Sequence, residues 1–187
     1  MRVEVRRMTP WSEVLDAARF TQRKEPVCKE PSEKFKWNII RSEHSPLRCL
    51  MFCVDMYDIP RFVSDHFVRH VHAQPFVSTG RPDIDGNMPP REEQKMTDLY
   101  NTRLVLNAQE IINISKLRLC NRAEKTTRIV WKMVVDELYK IEPNLAIACV
   151  PSCIYRGFCP EMKSCGFACT EMFKGRLNNY HEFFADY

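Results

Sequence analysis

The chain opens on alternation: Val3 and Val5 fall on one side and Arg2, Glu4 and Arg6 on the other, which predicts a short strand over residues 2–8. Thr9-Pro10 reads as an N-cap followed by a first-turn proline. Trp11, Val14, Leu15 and Ala18 then line one side of a helix running to about Arg23. Residues 24–36 are charged and broken by proline, so they read as a loop with room for one helical turn. Alternation returns from Leu47 to Met56, with Leu50, Phe52, Val54 and Met56 on one face and Cys49, Met51, Cys53 and Asp55 on the other. That is the pattern of a mostly buried strand.

Asp58 and Pro60 open a helix with an apolar side of Ile59, Phe62, Val63, Phe67 and Val71. On it His66, Arg69 and His70 stand at i, i+3 and i+4 and so project together. Residues 82–91 form a loop rich in Pro, Gly, Asp and Asn. The spacing then predicts one long helix over 98–119, which would set Asn107 and Arg118 on nearly the same face, about 16 Å apart along the axis. Asn121 with Glu124 fits an N-cap and capping box for the next helix. The core stripe of that helix is Val130, Met133, Val134, Leu138 and Ile141, and Pro143 ends it.

With 187 residues the chain has the length of one ordinary domain, and 44% hydrophobic against 28% charged residues is a globular balance. The net charge of +4 suits small anions and gives no reason to expect a nucleic-acid polymer as partner. No apolar run reaches membrane-spanning length and the N-terminus has no signal-peptide core, so a cytoplasmic protein without a membrane partner is the expectation.

The densest chemistry lies between His66 and Arg81. Arg69 and Arg81 offer planar donor forks, and Ser78-Thr79-Gly80 offers hydroxyl and backbone donors to the same kind of anion. The implied ligand is planar and phosphorylated. Arg69, His70, Gly80 and Arg81 also resemble, in residue and spacing, the Arg-His-Arg and Ser-Gly-Arg signature of the flavin-dependent thymidylate synthases. The stretch 107–128 is similar to that family's C-terminal helix pair, with Asn107, Asn113, Leu117, Arg118 and Ala123 in place. Upstream, Ser42-Glu43-His44-Ser45-Pro46 resembles its His-Glu-Ser-Pro segment, and Ala17-Ala18-Arg19 its early helix end.

The resemblance spans residues 1 to about 141. It implies an α+β fold in which an antiparallel or mixed sheet is flanked by long helices, assembled as a homotetramer with active sites at subunit interfaces. It also implies reductive methylation of dUMP to dTMP, with FAD as cofactor and methylenetetrahydrofolate and NADPH as co-substrates. In that scheme His66, Arg69, Thr79, Gly80, Arg81 and Arg118 bind the pyrimidine nucleotide, with Thr79 and Arg118 at the reacting base. Arg69, His70, Asn107, Asn113 and Arg122 contact the flavin.

Several positions depart from the family pattern. Val71 replaces the second arginine, Thr79 the serine, Cys49 a histidine near the flavin, and Val77 a glutamate. His66 stands where the family often has glutamine. Losing a charge-assisted contact at Val71 costs about 1.5–3 kcal/mol of binding. The segment between Arg81 and Asn107 is short, leaving Arg91 and Arg103 as alternative sources of a missing arginine. Two other readings stay open: a divergent enzyme making another C5 product such as hydroxymethyl, and a non-catalytic, metal-stabilised binding protein.

Nine cysteines are many for a reducing compartment, and five of them, Cys149, Cys153, Cys159, Cys165 and Cys169, fall in an extension over 142–187. Thiolates on short turns suit structural zinc, and an iron–sulfur cluster is chemically open too. The plain alternative is a set of reduced thiols acting as small hydrophobes.

Overall fold

Four strands pair edge to edge in the computed structural model, which describes residues 1–185. β1 (Arg2–Arg7), β2 (Met51–Pro60), β3 (Ala73–Val77) and β4 (Leu99–Asn107) form an antiparallel sheet in the order β1-β2-β4-β3. Register fixes which face is wet. Phe52 lies opposite Leu106, Val54 opposite Leu104 and Met56 opposite Thr102, and all six are buried. On the other face Asp55 lies opposite Arg103 and Phe76 opposite Arg103, and Arg103 and Phe76 are exposed.

Helices cover the apolar face: α1 (Trp11–Thr21), α2 (Glu33–Arg41), α3 (Arg61–Phe67), α4 (Ala108–Arg118) and α5 (Lys125–Ile141), followed by α6 (Pro143–Ala148), α7 (Ser152–Arg156) and α8 (Glu171–Ala185). The architecture is the expected α+β one with an antiparallel sheet. The core does not stop at residue 141, since Leu145, Ala146, Ala148 and Cys149 join the same apolar cluster. α8 returns to α2, where Phe184 stacks on Trp37 with ring centroids 4.9 Å apart.

Several local expectations are corrected. Residues 98–119 are not one helix: β4 carries Tyr100, Thr102, Leu104 and Leu106 inward at period two, and α4 starts only at Ala108. Asn107 is the cap between them, its Oδ1 accepting the Glu110 N–H at 2.9 Å. α3 is shorter than its apolar pattern, so Val71 lies beyond it and is 88% exposed. The charged stretch after residue 24 leads into α2, capped by Ser32 and buried through Trp37, Ile39 and Ile40. Glu124, not Asn121, caps α5 by accepting the N–H groups of Thr126 and Thr127. Thr9 does not cap α1; its hydroxyl donates to the Cys49 carbonyl at 2.7 Å and accepts the Met51 N–H at 2.8 Å, stitching β1 to the start of β2.

One buried carboxylate ties the first and last parts of this unit. Glu142, between α5 and α6, pairs with Arg7 Nη1 at 2.5 Å and accepts Trp11 Nε1–H at 3.1 Å, while the Trp11 ring is fully buried. Replacing it by alanine strands an indole N–H in the core. Glu142→Ala is expected to lower unfolding free energy by about 1–3 kcal/mol and Glu142→Gln by less, because the amide still accepts from Trp11; denaturant unfolding of both variants checks the order.

Candidate active site

α4 ends in a half-buried guanidinium that reaches back to α3. Arg118 Nε donates to His70 Nε2 at 3.1 Å, and its Nη2 donates to the His66 carbonyl at 2.7 Å. That carbonyl belongs to the last turn of α3, where helical C=O groups lack partners and favour a cation. α3 is in turn held in place: Thr102 Oγ1 donates to Ser64 Oγ at 2.9 Å, and His66 Nδ1 meets Thr127 Oγ1 at 2.7 Å. α4 is locked to α5 by the buried Trp131 Nε1–H, which donates to Ser115 Oγ at 2.8 Å.

Because His70 Nε2 accepts from Arg118, its own proton sits on Nδ1, which faces Glu110 Oε1 at 3.7 Å. Burial, and then the Arg118 charge, push the His70 imidazole down to about 4. It is therefore neutral near pH 7, and its approach to Glu110 is that of a dipole to a carboxylate and not an ion pair. Burial also lowers His66, with Arg118 and Arg69 adding to it. Burial lowers Arg118 too, and Arg69 next to it does the same. Guanidinium stays charged at any working pH. Two cations beside two neutral imidazoles make a patch that favours an anion.

From Glu110 a polar chain continues along α4. Asn113 Nδ2 donates to Glu110 Oε2 at 3.3 Å, and Gln109 Nε2 reaches both Asn113 Oδ1 and Glu43. Lys116 Nζ lies 3.1 Å from both Glu43 oxygens and 3.6 Å above the Tyr155 ring. Burial works against the Glu43 carboxylate, but bonds from Gln109, Lys116 and Tyr155 outweigh it and hold the group below the usual range. Asn107, Asn113 and Gln109, with Arg48 and His72, line a groove of about 160 Å³ beside this chain.

A larger cleft of about 620 Å³ opens beside α3, where Thr79, Gly80 and Arg81 meet Arg61, Arg91 and Tyr100. The loop is shaped by its own hydroxyl, Thr79 Oγ1 accepting the Arg81 N–H at 3.1 Å. Gly80 has a packing reason: a Cβ there would run into the Tyr100 hydroxyl. Gln94 Nε2 donates to the Gly80 carbonyl, and Tyr100 donates to Gln94 Oε1 at 3.2 Å. The structure also separates the two alternative arginines. Arg91 lines this cleft, whereas Arg103 makes a two-pronged bond to Asp55 at 2.6 and 2.9 Å on the sheet's outer face.

The residues expected at the site are thus brought together in three neighbouring groups. His66, Arg69, His70 and Arg118 cluster at the end of α3; Thr79, Gly80 and Arg81 line the large cleft; Asn107 and Asn113 line the groove on α4. Arg122 joins none of them through its side chain among the described residues, and it is exposed. Gln109, Glu110 and Arg61 were not singled out from the sequence, and Glu43 was named only within the His-Glu-Ser-Pro-like segment. Only the i, i+3 spacing of Glu110 and Asn113 on α4 signalled any of these links.

Burial, with Glu13 adding to it, raises the Cys49 thiol, which suits an inert cysteine and is the opposite of what an activated nucleophile needs. Cys149 is buried, donates to the Leu145 carbonyl at 3.3 Å, and is pushed up to about 12 by burial. It is a core thiol. Among the described residues no three His, Cys, Asp or Glu side chains stand together at metal-holding spacing, so the five tail cysteines do not converge as one ligand set. No helix among the described residues is long and apolar enough to cross a membrane.

No family model matches the chain. Over 57 residues it is 44% identical to the flavin-dependent thymidylate synthases of Sulfolobus acidocaldarius and Saccharolobus solfataricus, a match covering 29% of this chain and 22% of each relative. The matched segment therefore spans about a fifth of those relatives' length. In three dimensions the likeness is far broader. The flavin-dependent thymidylate synthase ThyX from Helicobacter pylori, solved with FAD and dUMP, superposes with a TM-score of 0.66 at 17% identity, over 80% of this chain and 100% of that one. The UMP/dUMP methylase PolB from Streptomyces cacaoi, bound with 5-Br dUMP, gives a TM-score of 0.62 at 13% identity, over 84% of this chain and 95% of that one. The fold is that of the flavin-dependent thymidylate synthases, and the chain resembles a divergent member of that group.

Proposed function

We propose that the chain binds a pyrimidine nucleotide and, with FAD, reductively methylates dUMP to dTMP, taking the carbon from methylenetetrahydrofolate and reducing equivalents from NADPH. The observation that carries this reading is the Arg118 clamp on neutral His70 beside Arg69, within a fold whose solved neighbours hold FAD and dUMP.

Arg69, Arg81 and Arg118 supply charge for the nucleotide's phosphate and base, and Arg91 and Arg61, which line the same cleft as Arg81, add to it. Thr79 and Gly80 present a hydroxyl and backbone to the pyrimidine. His66, fixed on Thr127, holds the Arg118 clamp through its carbonyl. Asn107, Gln109 and Asn113 present amide donors and acceptors, a set that fits the hydrogen-bonding edge of a flavin ring. Asn107 spends its oxygen on the α4 cap, so its Nδ2 hydrogens remain for a ligand among the described residues. A groove of about 160 Å³ holds one edge of such a ring and not the whole cofactor. The rest then rests against neighbouring copies in a homotetramer, with the 88%-exposed Val71 facing one of them. The flavin, when bound, supplies the hydride; the protein positions the nucleotide, neutralises its phosphate and excludes water.

A second reading keeps the scaffold and changes the product. Val77, 43% exposed at the cleft, stands where the related enzymes carry a carboxylate, so handling of the C5 substituent differs on that wall. Hydroxymethylation of the same nucleotide fits this change.

Incubating the purified chain with FAD, dUMP, methylenetetrahydrofolate and NADPH is expected to give dTMP by chromatography; hydroxymethyl-dUMP would select the second reading, and absence of any nucleotide product overturns both. Arg118→Ala is expected to weaken dUMP binding by about ten- to a hundredfold, the loss of one charge-assisted contact at 1.5–3 kcal/mol. Arg118→Lys should recover only part, since a point charge cannot bond His70 Nε2 and the His66 carbonyl together. Calorimetric titration of dUMP measures both.

His70 also sets a pH dependence. Its folded-state pKa lies below the unfolded value of 6.5, so between about 6.5 and 4 the unfolded chain takes up a proton that the folded chain refuses. Stability from this group is present above that window and is lost as pH falls through it. His70→Gln keeps an acceptor for Arg118 without titrating. Its unfolding midpoint should fall less steeply than wild type between pH 7 and pH 4.5.

A further inference from the structure

We propose that Cys120, Cys153, Cys159 and Cys165 form a tetrathiolate site for one zinc ion, which fastens the C-terminal segment to the end of α4. The four thiols come from separate places in the chain: the turn after α4, helix α7, and the loop between α7 and α8. They nevertheless line a single enclosed pocket, together with Pro151 and Arg176.

The size of that pocket selects its occupant. Its cavity volume is about 20 Å³, close to that of one small sphere and far below what an organic ligand needs. An iron–sulfur cluster is too large for it, whereas a single zinc ion is not. Cys120 also already has an outer bond of the kind thiolate ligands use: the Arg122 backbone N–H donates to its Sγ at 3.4 Å. Zinc with four thiolates carries two net negative charges, and the Arg176 guanidinium at the pocket wall offsets part of them.

Sequence spacing alone picks a different set. Cys149 drops out because it is buried and bonded back to Leu145 of α6, and Cys169 is exposed and outside the pocket. Cys120, remote in sequence, replaces them. As the chain stands the thiols line the pocket without reaching ligand spacing. Binding draws in the loop of residues 157–166, whose ends are the left-handed glycines Gly157 (φ 77°) and Gly166 (φ 82°). As each thiol becomes a ligand its proton passes to solvent, so binding tightens as pH rises.

The test uses the full chain, stripped of metal by a chelator and titrated with Co²⁺ and then Zn²⁺. One Co²⁺ per chain with tetrahedral thiolate absorption, displaced by Zn²⁺, is expected. Cys120→Ser and Cys159→Ser should each weaken Co²⁺ binding by at least about a hundredfold, beyond the cost of losing an outer partner, and Cys169→Ser by less than about twofold. No uptake, uptake surviving in Cys120→Ser, or loss in Cys169→Ser overturns the site. A measurement free of folding defects is alkylation of the wild-type chain with and without Zn²⁺. Mass spectrometry should show protection at Cys120, Cys153, Cys159 and Cys165 over and above any core thiol already shielded; a zinc-dependent pattern on any other set overturns the proposal.

Discussion

The bond from Arg118 to the end of α3 is the constraint on which the site depends. It joins the last residue of α4 to the end of a helix that stops after seven residues, once at the His66 carbonyl within it and once at the His70 ring just beyond it. Without it the turn from Val68 to His72 has, among the described residues, only the longer His70 to Glu110 approach as a polar tether to α4. Arg118 also sets the histidine's state: a cation donating to Nε2 requires the neutral ring with its proton on Nδ1, and burial reinforces that choice. Geometry and protonation come from one contact.

The surrounding polar chain shows how a site of charged groups survives against a core. Glu43 is bonded by Gln109 and Lys116, Glu110 accepts from Asn113 and faces His70, and Lys116 lies over the Tyr155 ring while bonding Glu43. A buried polar group without partners costs more than its bonds return in water, so such groups come as connected sets. Here the set runs from α7 through α4 to α3. The segment after residue 141 therefore bears on the site: Ser152 donates to the Lys116 carbonyl at 2.9 Å, and Tyr155 borders the Glu43 carboxylate.

Strands were legible where one face was apolar and the other polar. β1 and β2 follow their alternation, and register then buries Phe52, Val54 and Met56 together. β4 was not legible, because Leu104, Ala108, Ile111 and Ile112 fall at i, i+4, i+7 and i+8 if Asn107 is passed over as an interior residue. Asn107 is in fact an N-cap, a role that asparagine favours and that marks a boundary. α2 was hidden by its charges: Lys34, Lys36 and Arg41 face outward or into ion pairs while Trp37 and Ile40 go inward. At the site, Arg69, His70, Thr79, Gly80, Arg81, Asn113 and Arg118 could be picked by residue type and spacing. Their partners Glu110, Gln109 and Arg61 could not, since a polar residue on a helix reads equally as solvated.

By itself the sequence determined the α+β character, the central buried strand, the phosphate-suited chemistry of residues 69–81 and its likeness to a flavin enzyme signature. Those properties live in local periodicity and in short runs of donors, which survive without knowledge of any distant contact. Tertiary structure alone decided that Arg91 and not Arg103 faces the cleft, that Gly80 is small because Tyr100 lies against it, and that Cys120 shares a pocket with three tail cysteines. Each of these depends on two segments far apart in the chain meeting at a few ångströms, and nothing local in either segment encodes that meeting.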